Sequence, residues 1–276
     1  EFGGSITLEV GKYGYSRLVT AIEGPVGESD ISYRLTASTY DYDGQYNNAI
    51  QPSQDLGSRS TDDVSLTLYA QPSDKFSAKF RYHKWTDEDG PDVGVGWGPD
   101  NAPHAFNCQP GGSQPTNFIC GVPPWPIPSQ MAQDSILTPE LKNKFFSQAM
   151  IDAFVTPMFS GFGLERHAEE ISLILDYELD SGVTIQFISA AHEDGYATMN
   201  DVDRRPTAGL TGYVLFAPSS ADSYQLLINK MDDSHQEIRI TSPSDQRFRW
   251  LIGAAKSERK GLATRYSQLA GYAPSA

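Results

Sequence analysis

The residues with the softest donor atoms, His104, Cys108 and Cys120, fall within one Gly-, Pro- and Ser-rich stretch. As zinc ligands they lack a fourth partner at ligand spacing. In an oxidising compartment Cys108 and Cys120 instead close a short loop as a disulfide, worth roughly 3 kcal/mol by loop entropy. Asp87-Glu88-Asp89 offers three hard oxygen ligands, but without the glycine and distal glutamate of the helix-loop-helix calcium site it reads as a solvated charge run. Gly94-x-Gly96-x-Gly98 follows no buried strand and opens no helix, so it is no dinucleotide fingerprint. No Gly-x-Ser-x-Gly occurs, and no carboxylate pair stands with a nucleophile. The expectation is a protein that is not an enzyme and carries no metal or cofactor.

What remains is binding chemistry. Trp97, Phe106, Phe118 and Trp125 offer flat faces for sugar or aromatic rings, or form a small core of their own. Between Trp85 and Leu141 there is no Lys or Arg. An anion would find no counter-charge there, so neutral or cationic ligands fit this stretch better. Arg34, Lys79 and Arg81 lie elsewhere in the chain, either as a place for an anion or as solvated and paired charges.

The elements that must position these residues are strands. From His167 to Asp180, Ile171, Leu173, Leu175, Tyr177 and Leu179 share one face and Glu170, Ser172, Asp176, Glu178 and Asp180 the other, with only Ile174 out of place, a period of two. Roughly 13 residues at about 3.3 Å each, tilted by about 45°, rise about 30 Å, the thickness of a bilayer core. An Asp-Ser-Gly turn sends the chain back through Val183 to His192. The same alternation recurs in a first hairpin from Ile6 to Gly24, in Asp30 to Asp43, in Asp62 to Gln71, in Lys75 to Trp85, in Gln236 to Thr241 and in Arg247 to Ala254. Nine strands result. Tight connections (Gly24 to Asp30, Pro72 to Lys75, Asp180 to Gly182, Pro243 to Gln246) alternate with long ones (Gly44 to Ser60, Thr86 to Arg166, Glu193 to about Asp233), as in a barrel with one short-turn rim and one long-loop rim. Tyr13, Tyr15, Tyr40, Tyr42, Tyr46 and Trp85 gather near the long-loop end, where an interfacial girdle belongs. Within the great loop, Thr138-Pro139-Glu140 starts one short amphipathic helix that ends before Pro157.

Composition fits this picture. The chain has 276 residues, 39% of them hydrophobic, and a net charge of -14 from 35 acidic against 21 basic residues. Nucleic acid is excluded as a partner, since phosphate backbones need basic surface. There is no run of eighteen apolar residues for a helical span. No N-terminal signal precedes the first strand pattern, so the sequence reads as mature or as a piece of something longer.

In Gly3-Gly4-Ser5-Ile6-Thr7-Leu8-Glu9-Val10-Gly11-Lys12-Tyr13-Gly14, in Glu23-Gly24-Pro25-Val26, in Tyr33 to Ser38 with Asp43-Gly44, and in Gln236 to Pro243 followed by Phe248 to Gly253, the chain resembles the TonB-dependent outer-membrane receptors. The resemblance implies an all-β fold: a transmembrane antiparallel β-barrel, here partial with about nine strands, with long extracellular loops. One barrel domain would cover residues 1–276, with a loop insertion over 86–166. It further implies the outer membrane of a Gram-negative bacterium, and energised uptake of a scarce nutrient such as an iron chelate, vitamin or saccharide. The partners would be outer-membrane lipid, the small nutrient ligand, and the energy-coupling TonB complex through a plug region that these residues do not contain. A small porin-like diffusion barrel and a secreted all-β carbohydrate-binding module are the other readings the alternation allows.

Overall fold

A computed structural model describes residues 1–49, 51–94, 107–108, 118–119, 161–202 and 222–270. Thirteen strands occur among them: β1 (Gly3–Val10), β2 (Ser16–Pro25), β3 (Ile31–Tyr42), β4 (Tyr46–Asn47), β5 (Asp55–Leu56), β6 (Arg59–Ser73), β7 (Phe76–Asp89), β8 (Asn107–Cys108), β9 (Phe118–Ile119), β10 (Gly163–Glu178), β11 (Thr184–Asp201), β12 (Asp222–Thr241) and β13 (Leu251–Ala270). Nine of them form one antiparallel sheet, in the order β1-β2-β3-β6-β7-β10-β11-β12-β13, open between β1 and β13. β4 with β5, and β8 with β9, make two small separate pairs. The nine expected strands are these nine. The expected helix after Thr138 lies outside the described residues.

Several strands outrun their expected ends. β7 continues to Asp89, so the carboxylates of the Asp87-Glu88-Asp89 run alternate between faces. β11 reaches Asp201 and β12 starts at Asp222, where a loop from Glu193 to about Asp233 was expected. β13 runs to Ala270 through a charged segment expected to lie beyond the last strand. The last inner connection is also wider than Pro243 to Gln246: the Ser242 and Trp250 backbones close it, with Ser242 N–H donating to the Trp250 carbonyl at 3.0 Å. The turn after β10 is as tight as expected. Gly182, at φ 76°, donates to the Leu179 carbonyl at 2.8 Å, a left-handed conformation that glycine adopts without a Cβ penalty.

Period-two alternation gives the sheet two unlike faces. Outward point Ile6, Leu8 and Val10 on β1, Val64, Leu66 and Leu68 on β6, Ile171, Leu173 and Leu175 on β10, and Ile252 and Ala254 on β13. Ile6 is 78% exposed, Ile171 45% and Ile252 65%, while Val64, Leu66, Leu68, Leu173 and Leu175 are half-buried. Such a continuous apolar face calls for an apolar surrounding.

The apolar band does not follow the register; it crosses it obliquely. The line of partners through Leu8 runs Leu18, Thr39, Asp62, Thr86, His167, Gly195, Lys230 and Leu262. A level that is apolar in β1 is therefore charged by β6. In β13 the band, at Ile252 and Ala254, lies about eight to ten residues nearer the inner end than Leu262. Roughly one residue of descent per strand, at about 3.3 Å along a strand and about 4.8 Å between strands, corresponds to a strand tilt of roughly 35–40°. That is the tilt of a membrane-spanning barrel wall.

Candidate functional site

The inward face holds the polar side chains. Trp85 of β7 stands opposite Asp63 on β6 and Ala168 on β10. Ala168 is small and buried, and over it the His192 ring meets Trp85 at 5.9 Å and 25°. On the other side His83 stacks on Trp85 at 4.7 Å and 28°, and its Nε2 contacts the Asp63 carboxylate. The Arg166 guanidinium lies 5.5 Å from the Trp85 centroid. It grips Asp194 through two hydrogen bonds, Nε to Oδ1 at 2.8 Å and Nη2 to Oδ2 at 3.2 Å. With Asp194 only 11% exposed, this pair is partly desolvated and correspondingly strong. The stack consumes Trp85, whose ring is already covered by two imidazoles and a guanidinium.

Above it lies the rim. Tyr13 and Tyr42 meet edge to face at 6.4 Å, as do Tyr15 and Tyr40 at 5.7 Å. The Tyr15 hydroxyl donates to Glu9 Oε2 at 2.6 Å, and this bond to a carboxylate raises the phenol above its usual pKa. Tyr40, Tyr42 and Trp85 have the height expected of a membrane girdle but the wrong face: register puts them with Arg34 and Arg81, towards the inside. The outward aromatics are instead Tyr33, Phe76, Phe80, Tyr82, Tyr177 and Phe187.

The outer loops are tied into this rim by backbone hydrogen bonds. Asp43 donates to the Tyr13 carbonyl at 2.9 Å, Gly57 to Pro91 at 2.8 Å and Gly90 to Ser58 at 3.0 Å. Leu56 and Asn48 are buried beneath them and anchor the β4–β5 pair. The loops enclose a cavity of about 750 Å³ whose charged lining is Asp41, Asp43, Asp55 and Glu88 against Arg59.

Lower on the inward wall, most cations already have a carboxylate. Arg34 Nη1 lies 2.7 Å from Glu23 Oε2, Arg259 grips Asp233 at 2.6 and 3.2 Å, and Arg239 pairs with Glu237. Arg34 is thus a paired wall charge. Arg81 and Lys79 are exposed and make no ion pair or hydrogen bond among the described residues.

Trp97, Phe106 and Trp125 lie outside the described residues. Phe118 is described only in its backbone, where β9 sets it opposite Cys108 of β8. The pairing of Cys108 with Cys120, and the position of His104, also lie outside them. The residues that sequence reasoning missed are His83, His192, Arg166 and Asp194. Their signal was present: His83 and Trp85 share the parity of Arg81.

No family model matches this chain, and no curated protein matches it. Solved structures do. The ferric yersiniabactin uptake receptor of Yersinia pestis superposes with a TM-score of 0.58 at 13% identity, over 98% of this chain and 32% of the receptor. The pyoverdine outer membrane receptor of Pseudomonas aeruginosa PAO1, bound to pyoverdine, gives 0.57 at 13%, over 99% and 32%. A ferripyoverdine receptor of the outer membrane of Pseudomonas aeruginosa gives 0.55 at 14%, over 99% and 30%. The chain spans about a third of the length of the receptors it matches. At these identities the shared property is the fold, a run of wall from an outer-membrane β-barrel.

Proposed function

We propose that this chain, with the fold of a receptor barrel wall, is part of an outer-membrane receptor for energised uptake of a scarce nutrient. It supplies wall strands, inner turns and a share of the ligand-facing rim. The observation that carries the reading is the oblique apolar band: an uncovered outward belt, tilted as barrel strands are, backed by an inward face of paired charges. The likeness to receptors for ferric chelates supports a nutrient of that kind, with vitamins and saccharides as the competing classes. The role is binding and passage without bond chemistry, and coupling to the TonB complex belongs to regions beyond these strands.

Uptake by cells carrying the whole gene, compared with cells deleted for it, tests the reading. Ferric chelates, vitamins and oligosaccharides are offered in turn, before and after the proton gradient is collapsed. Gene-dependent accumulation of one class that stops with the gradient is expected. Accumulation that survives the collapse would contradict energised uptake.

A further inference from the structure

Lys79 and Arg81 are neighbours on one face of β7, roughly 7 Å apart by strand geometry. Both are exposed on the inward side, at the height of the outward belt residues Phe80 and Tyr82. Two like charges this close repel, and nothing among the described residues neutralises them, whereas Arg17, Arg34, Arg166, Arg239 and Arg259 each face a carboxylate. The cross-strand neighbours of Arg81 are hydroxyl residues, Thr67 on β6 and Ser172 on β10. Guanidinium and ammonium donors stand here beside two hydroxyls that can also donate, with no carboxylate bonded to either cation among the described residues.

We propose that Lys79 and Arg81, flanked by Thr67 and Ser172, form an oxyanion-binding station on the inward wall, taking a carboxylate or phosphate group of a small ligand. The inference rests on the barrel-wall reading and adds to it the class of group bound. Arg81 supplies the planar fork for two oxygens, and Lys79 a point charge beside it. The acidic lining of the rim cavity does not cancel the station. Asp41 shares the outward parity of Leu35 and lies seven residues further out than Arg34, the β3 residue on the register line of Arg81, so the two are more than about 20 Å apart, over two Debye lengths at physiological salt.

The test is equilibrium binding of citrate and of inorganic phosphate to the full-length protein purified in detergent, by titration calorimetry at two salt concentrations. The wild type should bind at least one of them, more weakly at high salt, and the tighter of the two identifies the group. K79Q and R81Q should each weaken that binding about tenfold, the cost of losing one charged hydrogen-bonding partner. R34Q removes a cation already paired to Glu23 and should change it little, while R81K, which keeps the charge but loses the fork, should fall between the wild type and R81Q. Absence of binding by the wild type, unchanged binding in K79Q and R81Q, or an equal loss in R34Q would overturn the proposal. Heat-modifiable gel mobility of the same samples reports separately whether each variant has folded and whether the barrel reading holds.

Discussion

β6 carries both faces of the wall on alternate residues. Val64, Leu66 and Leu68 point outward; Leu66 stands between Leu35 and Tyr82 and Leu68 between Tyr33 and Phe80, while Val64, nearer the rim, stands between Ala37 and Lys84. Thr61, Asp63, Ser65 and Thr67 point inward; Thr61 donates to Asp87 at 2.7 Å and Asp63 holds His83. The outward face asks only that a residue be apolar, so its identity is loosely constrained and its polarity tightly. The inward face reverses this: it tolerates polarity but depends on particular partners.

Leu66→Arg breaks the outward rule at the belt and should destabilise the protein most, by about 2–4 kcal/mol, whereas Ser65→Arg one residue away should stay within about 1 kcal/mol. Urea unfolding in lipid vesicles checks the pair, and equal losses would erase the distinction between faces. Gly163→Ala should come next. Gly163 has φ 109°, and a Cβ there would lie 2.0 Å from the Asp89 carbonyl oxygen, so a cost of about 2–3 kcal/mol is expected in the same assay. Arg166→Ala strands the mostly buried Asp194 and uncovers Trp85, for a loss of about 1–3 kcal/mol and a red-shifted tryptophan emission. Arg34→Ala removes a pair whose side chains are 57% and 49% exposed, so it should cost under about 1 kcal/mol and be hard to detect above 0.5 M salt.

The ranking separates what alternation reveals from what it hides. Alternation alone places Leu173 with Leu175 and Trp85 with Arg81, and that located all nine wall strands and their faces. Counting aromatics by their distance from the long loops, without their parity, turned Tyr40, Tyr42 and Trp85 towards lipid when register turns them inward. Strand ends were lost where local composition imitated something else. Glu193-Asp194-Gly195 has turn chemistry, yet β11 runs through it, with Gly195 opposite Lys230 on β12. Lys256 to Lys260 has the composition of a solvated tail, but every residue in it has a β12 partner. The Arg166–Asp194 grip joins adjacent strands at positions that only the register between β10 and β11 brings side by side. No local pattern marks it, because its two residues stand 28 positions apart.

The central claim is that one face of this sheet meets lipid and the other a polar interior. Spin labels placed one at a time from Glu170 to Leu179 in the full-length protein, reconstituted in lipid vesicles, test it most directly through collision with oxygen and with a water-soluble nickel chelate. The predicted result is a period of two, with oxygen dominating at 171, 173, 175, 177 and 179 and the chelate at the even positions. Equal chelate access at odd and even positions would contradict a membrane-spanning wall.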